Sequence, residues 1–331
     1  MSSPAIEVKN LHRSFGKLKA VNGVSFEVSP GSICGFIGAN GAGKTTTMRI
    51  IASLDYANGG TVKVSGHDVL NQPAKVRNLI GWMPDHFGNY TNMTVLEYLD
   101  FYARALGFRG KERQMRVQEV MEFADLLPLA DRFSNKLSKG MTQRLGLGRS
   151  LLHDPEVLVM DEPAAGLDPK ARVELKHLIR VLAEEGKTIF ISSHILSELG
   201  EMCDDLLFMD EGRLVHQGNA ESLRGHGEHA GRSFYRVHTL GGGEELANWV
   251  SMNPQVEFLE TVKSGGRIII ESEDPGQAAY ILARMIQDGL KVTEYHREER
   301  NLEDAFIDLL ENTKEESHRP AASPPPIPTD S

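Results

Sequence analysis

Residues 38–45 read Gly38-Ala39-Asn40-Gly41-Ala42-Gly43-Lys44-Thr45, the pattern G-x-x-x-x-G-K-[ST]. A triphosphate carries more negative charge than one side chain can hold. A loop of small residues turns successive backbone N–H groups inward, and the next helix adds the positive end of its dipole. Gly38, Gly41 and Gly43 leave room for the backbone to approach the phosphates. Lys44 is placed to reach the β- and γ-phosphates, and the Thr45 hydroxyl to coordinate Mg²⁺. The flanks agree. Ser32 to Ile37 is a short apolar run suited to a buried strand, and Thr45 to Ser53, with Met48, Ile50 and Ile51, reads as a helix. A chance glycine-rich turn would need neither flank.

Outward from this loop the pattern changes in blocks. Residues 5 to 30 alternate apolar and polar side chains (Ile6, Val8, then Val24, Phe26, Val28), as antiparallel strands with one wet face do. A strand pair follows around Gly60 to Val64 and Val69. Residues 94–153 have helical spacing; Val95, Tyr98, Leu99, Tyr102 and Leu106 share one helix face. Val157 to Met160 and Thr188 to Ile191 are continuous apolar runs on either side of a helix-like stretch over 169–185, which predicts buried parallel strands joined by a crossover helix. Residues 5–220 thus read as an α/β unit with a mostly helical insertion. The Gly-, His- and charge-rich stretch 221–231 is read as a linker.

Residues 232–311 then run strand, helix, strand, strand, helix, strand, the ferredoxin-like order, with Gly265-Gly266 read as the hairpin turn between the middle strands. A closing amphipathic helix is expected from Leu302 to Leu310. The proline-rich residues 312–331 are read as a disordered tail.

The bulk numbers narrow the function. A chain of 331 residues has room for two domains, and a net charge of −10 argues against a nucleic-acid partner, which demands a basic face. Cys34 and Cys203 stand far apart in no metal-ligand spacing, as reduced thiols would. The opening Met-Ser-Ser-Pro-Ala-Ile-Glu has no basic n-region or apolar h-region, so no secretion signal is expected. No apolar run approaches a membrane span. Work at a membrane would require docking onto something that crosses it.

Three further stretches carry chemistry. Val157-Leu158-Val159-Met160-Asp161-Glu162 is an apolar strand ending in two carboxylates, at the strand end where ligands of such sheets sit. Asp161 is the candidate Mg²⁺ ligand, and Glu162 the candidate base that deprotonates an attacking water. Ser192-Ser193-His194 follows the next strand and places a histidine within reach of a γ-phosphate oxygen and a neighbouring carboxylate. Leu137-Ser138-Lys139-Gly140-Met141 opens an apolar helix, with Ser138 at its N-terminus. Taken singly, a solvated strand end, a structural histidine and a capped helix start would account for them.

In this order the elements resemble the ATP-binding cassette (ABC) family over residues 5–220: the phosphate loop, the signature Leu137 to Met141, the Asp161-Glu162 strand, the Gly166-Leu167-Asp168 loop and the His194 switch. The resemblance implies a P-loop NTPase with a RecA-like core, an antiparallel β subdomain and a helical subdomain over about 94–153, binding ATP with Mg²⁺. It further implies that Phe15 stacks on adenine, that Asn40 and Thr46 belong to the nucleotide site, and that Glu162 and His194 are catalytic. In a head-to-tail dimer, Ser138 and Gly140 would face the γ-phosphate held by the second ATPase subunit, and Asp168 would lie at the interface. Two copies of this chain are the expected dimer. Pro84 to Tyr90, then Met93 to Leu99, looks like the export branch, in which ATPase and membrane subunits are separate chains. The C-terminal unit is similar to the appendage of that branch's drug, antibiotic and polysaccharide exporters. The expected partner is a polytopic membrane subunit, whose short helix would enter a groove beneath Asp85 and Thr94 to Leu106. The expected location is peripheral, on the cytoplasmic face of the cell membrane. The alternative is a soluble ABC ATPase that is not a transporter, either a mechanoenzyme or a regulatory module.

Two departures stand out. Where the family usually has glutamine, this chain has Asp85, an acceptor-only side chain that could approach Mg²⁺ through water but could not donate. The signature carries Lys139 and Met141 in place of the commoner glycine and glutamine, which adds a cation near the expected triphosphate and removes an amide.

Overall fold

A computed structural model describes residues 3–86, 88, 90–224, 231–298, 302, 305 and 306. The chain divides into two compact units, Met1–Ala220 and Glu221–Ser331. Most of the predicted linker and closing helix, and all of the tail over 312–331, lie outside the described residues.

In the first unit the strands are β1 (Ile6–Phe15), β2 (Leu18–Val28), β3 (Ile33–Ile37), β4 (Gly59–Val64), β5 (His67–Asp68), β6 (Ile80–Met83), β7 (Val157–Met160), β8 (Thr188–Ser193), β9 (Asp205–Asp210) and β10 (Arg213–Gly218). Its helices are α1 (Lys44–Ile51), α2 (Pro73–Leu79), α3 (Val95–Ala105), α4 (Gly110–Phe123), α5 (Lys139–Leu151), α6 (Pro169–Glu184) and α7 (Leu196–Gly200), with α8 (Ala220–Arg224) at the boundary. Strands β2-β1-β4-β5 make an antiparallel sheet, and β10-β9-β3-β8-β7-β6 a second one whose β9, β3, β8, β7 and β6 run parallel. Every residue of β3, β7 and β8 is buried, because the sheet is covered on both faces, by helices such as α6 and α7 on one and by the antiparallel sheet on the other. The alternating strands β1 and β2 are buried on one side only.

Phe26 of β2 and Phe36 and Phe190 of the parallel sheet join the two sheets, with ring centroids 5.2–6.0 Å apart. Each such pair adds about 0.5–1.5 kcal/mol beyond its buried area. One continuous core runs from Ile6 and Val62 to Val159 and Phe190. The parallel order brings the ends of β3, β8, β7 and β6 together, and the loops after those ends hold the phosphate loop, His194, Asp161-Glu162 and Asp85.

The insertion is helical as its periodicity predicts. Thr94 starts α3 with a reciprocal capping box: its side chain accepts from the Glu97 amide, and Glu97 accepts from the Thr94 amide. A cap of this kind contributes about 1 kcal/mol. Tyr98 and Leu99 are fully buried, whereas Phe101 is exposed and Tyr102 half-buried, so the aromatic stripe is divided between core and surface.

The second unit contains β11 (Ser233–Thr239), α9 (Gly242–Ser251), β12 (Val256–Val262), β13 (Gly265–Ile270), α10 (Pro275–Gln287) and β14 (Val292–Glu298), with sheet order β12-β13-β11-β14 and every neighbouring pair antiparallel. Leu246, Trp249, Ile281 and Met285 of the helices pack on Val237, Ile268 and Ile270. The turn is corrected. Val262 pairs with Gly265, so Lys263-Ser264 makes the hairpin and both glycines belong to β13. They are glycines because a Cβ at 265 would stand 1.9 Å from the Val237 carbonyl oxygen, and one at 266 would stand 2.5 Å from the Phe258 ring. The demand comes from close strand approach, not from turn geometry.

Candidate functional site

Strand β3 delivers the chain into the phosphate loop, and α1 carries it away. Gly43 is the residue before α1, at φ 108°, and no side chain caps the helix. Its first N–H groups and dipole are therefore left to face a ligand. The three glycines have different reasons. A Cβ at Gly38 would stand 2.2 Å from the Met209 carbonyl oxygen, and one at Gly43 the same distance from that of Ala20. Gly41, at φ 85°, has open space where a side chain would be. Gly38 and Gly43 are thus required by β9 and β2 as well as by any phosphate. Lys44, 6% exposed, donates from Nζ to the carbonyls of Gly38 (2.6 Å) and Ala39 (3.2 Å).

A cavity of about 400 Å³ is lined by Phe15, Leu18, Ala20, Asn40, Gly41, Gly43, Lys44, Thr45, Thr46, Asp85, Asp161 and Glu162. Seven of the ten residues predicted to bind the nucleotide (Phe15, Asn40, Gly41, Gly43, Lys44, Thr45 and Thr46) are therefore brought to one place. Glu162 Oε1 lies 3.7 Å from Lys44 Nζ, and Oε2 lies 2.7 Å from His194 Nδ1. Asp161 is buried and Thr45 exposed to the cavity. Asp85 lines the same cavity, so three oxygen-bearing side chains of the kind a hard divalent cation such as Mg²⁺ accepts share it. Asp85 follows β6 and lies 3.5 Å from His86 Nε2.

Two contributors escaped the sequence reading. Ser192, fully buried, donates from Oγ to Asp161 Oδ1 (2.7 Å) and accepts from the Glu162 amide (2.9 Å). Glu162 holds φ 49°, a left-handed conformation that costs a non-glycine residue about 1–3 kcal/mol. The bond from its amide helps to keep it there. The available signal was a polar residue completing an otherwise apolar strand one sheet position from the carboxylates. We expect Ser192→Ala to lower stability by about 1–3 kcal/mol, because two buried polar groups lose their partner. Turnover should fall about tenfold or more as the carboxylates shift. Thermal unfolding and steady-state ATP hydrolysis measure both, and unchanged hydrolysis would show that the bridge is dispensable.

The second is Arg13, whose guanidinium lies 4.5 Å over the Phe15 ring and is anchored to Asp55 at 2.7 Å. Period-two alternation on β1 puts both side chains on one face. Phe15 itself is 48% exposed.

Ser138, Gly140 and Asp168 gather elsewhere. They line a separate cavity of about 390 Å³ with Met141, Arg144, Lys170 and Glu174. Ser138 caps α5, its Oγ accepting from the Met141 amide at 3.4 Å, and Asp168 caps α6, accepting from the Ala171 amide at 2.9 Å. A Cβ on Gly140 would stand 2.9 Å from that of Ala171, so the signature glycine also lets α5 approach α6. Lys139 Nζ lies 2.5 Å from where a Cβ on Gly166 would be, which lays this lysine across the Gly166-Leu167-Asp168 loop.

A family model described as ABC transporter matches residues 21–165. Over 305 residues, 92% of this chain and 99% of the relative, the sequence is 32% identical to an uncharacterized ABC transporter ATP-binding protein, YxlF, of Bacillus subtilis. It is 33% identical over 310 residues, 93% of this chain and 94% of the relative, to the Nod factor export ATP-binding protein I of Ralstonia nicotianae. A solved ATP-binding subunit of an ABC transporter superposes with a TM-score of 0.60 at 29% identity, covering 66% of this chain and 92% of that one.

Proposed function

The chain belongs to the ATP-binding ATPase subunits of ABC transporters, and on that premise we propose that it drives an exporter by closing and reopening a nucleotide-bridged dimer. Phe15 stacks on adenine. The phosphate loop, with Asn40, Thr46 and Lys44, holds the triphosphate. Thr45 and Asp161 would hold Mg²⁺, with Asp85 as a further candidate donor, and the metal would neutralise charge on the phosphate oxygens. Glu162 takes the proton of the attacking water, and His194 orients Glu162 and contacts the γ-phosphate.

The separation of the two cavities carries this reading. Among the described residues of one chain, none lines both the phosphate-loop cavity and the Ser138–Asp168 cavity. The second set acts when it faces the nucleotide of another subunit, for which a second copy of this chain is the natural candidate. ATP then favours the closed dimer because only that form contacts it from both sides. No helix among the described residues is long and apolar enough to cross a membrane. The pathway is assigned to a separate polytopic subunit, as suits an ABC ATP-binding subunit. The polytopic subunit meets this chain at the cytoplasmic face, near Asp85 and the exposed side of α3. The second unit is read as a ferredoxin-like appendage.

Hydrolysis per chain should therefore rise with protein concentration and level off once dimers form. A rate per chain that stays constant on dilution to strictly monomeric protein would overturn the reading.

A further inference from the structure

One ion pair of the first unit, between a buried carboxylate and a half-buried arginine, has no part in the site described above. Glu198, on α7, is buried, and Arg172 is in the first turn of α6. Arg172 Nη1 lies 2.6 Å from Glu198 Oε1, a contact of charge on charge without hydrogen-bond alignment, and Nη2 donates to the Leu167 carbonyl at 3.3 Å. Arg172 Nε is buried with no hydrogen-bond partner. Charges in such surroundings are costly unless paired, so each holds the other in place.

The placement of the pair is informative. Glu198 lies four residues after His194, on a five-residue helix that begins two residues beyond the histidine. Leu167 lies one residue before Asp168, which caps α6 and lines the second cavity. A continuous path runs from Glu162 to His194 at 2.7 Å, along the chain to Glu198, across to Arg172 and onto the Gly166-Leu167-Asp168 loop.

We propose that Arg172 and Glu198 are positioning residues that tie the His194 segment to the Gly166-Leu167-Asp168 loop, so that His194 is aligned on Glu162 when that loop meets the partner subunit. This rests on the nucleotide-bridged dimer above. The fork geometry of arginine suits the task, since one guanidinium reaches a carboxylate and a backbone carbonyl at once.

The test compares Arg172→Gln, Glu198→Gln and the charge-swapped R172E/E198R in full-length protein. Steady-state kcat and KM for ATP are measured, together with the ATP bound per chain when each change is added to Glu162→Gln. Expected are a kcat about tenfold lower in each single variant, a KM within about twofold of the parent, unchanged ATP per chain, and only partial recovery of turnover in the swap, which restores the ion pair but leaves the Leu167 carbonyl without its donor. Single variants with the parent's kcat would overturn the proposal. So would a loss of kcat matched by an equal loss of bound ATP, which marks a merely structural pair. If the glutamine variants do not fold, Arg172→Lys decides. It keeps the charge but lacks the fork, so a lowered kcat at full ATP stoichiometry supports the proposal and a parental kcat overturns it. Normal turnover in Arg172→Gln beside lost turnover in Glu162→Gln alone would remove this proposal and leave the dimer reading standing.

Discussion

Glu162→Gln should lower steady ATP turnover by about 10²–10⁴-fold, the usual worth of a positioned general base, while an ATP-dependent dimer accumulates. The substitution keeps the shape of the side chain. The backbone at φ 49° and the amide bond to Ser192 are untouched. What is lost is the proton acceptor, together with one negative charge beside Lys44 and His194. A triphosphate placed in the phosphate-loop cavity is then repelled less and not cleaved, so the closed state persists. Phosphate release followed over many turnovers, with size-exclusion chromatography in ATP, reads both effects. Multiple-turnover hydrolysis near the parent rate would remove Glu162 from the base role.

Lys44→Ala should act earlier, on nucleotide binding. The ammonium is 6% exposed and is held by two loop carbonyls at the mouth of α1. Such a group is a ready donor to phosphate oxygens, where a hydrogen bond to a charged group contributes about 1.5–3 kcal/mol. At 1.4 kcal/mol per factor of ten, the Kd for ATP should rise about 10- to 100-fold. Titration calorimetry measures it, with the melting temperature as a check that the loop still folds. Unchanged ATP affinity would contradict the assignment of the loop.

Much of the first unit was legible in the sequence because its signals are local. The continuous apolar runs at β7 and β8 read as buried strands, and the helical spacing of Val95, Tyr98, Leu99 and Tyr102 marks α3. The glycine pattern of the phosphate loop was legible too, but its reasons were only half so. Gly38 and Gly43 are pressed by carbonyls of Met209 and Ala20, contacts made by strand pairing and packing far along the chain. The misplaced hairpin turn has the same origin. Gly265 and Gly266 look like turn residues, yet what they answer to is the backbone of β11 and the ring of Phe258.

By itself, then, the order of residues determined the order of elements and the chemical types available: a phosphate loop, two carboxylates at a strand end, a histidine after the next strand, a capped signature helix. Backbone periodicity and near-neighbour hydrogen bonds carry that information, and they need no knowledge of the distant chain. Tertiary structure alone decided which groups meet. The sheet order sets β8 beside β7, which puts Ser192 between Asp161 and Glu162. The seating of α6 and α7 joins Arg172 to Glu198. The same packing parts the Ser138–Asp168 cavity from the phosphate loop, because burial of apolar strands, not the spacing of motifs, fixes which ends of the chain share a surface.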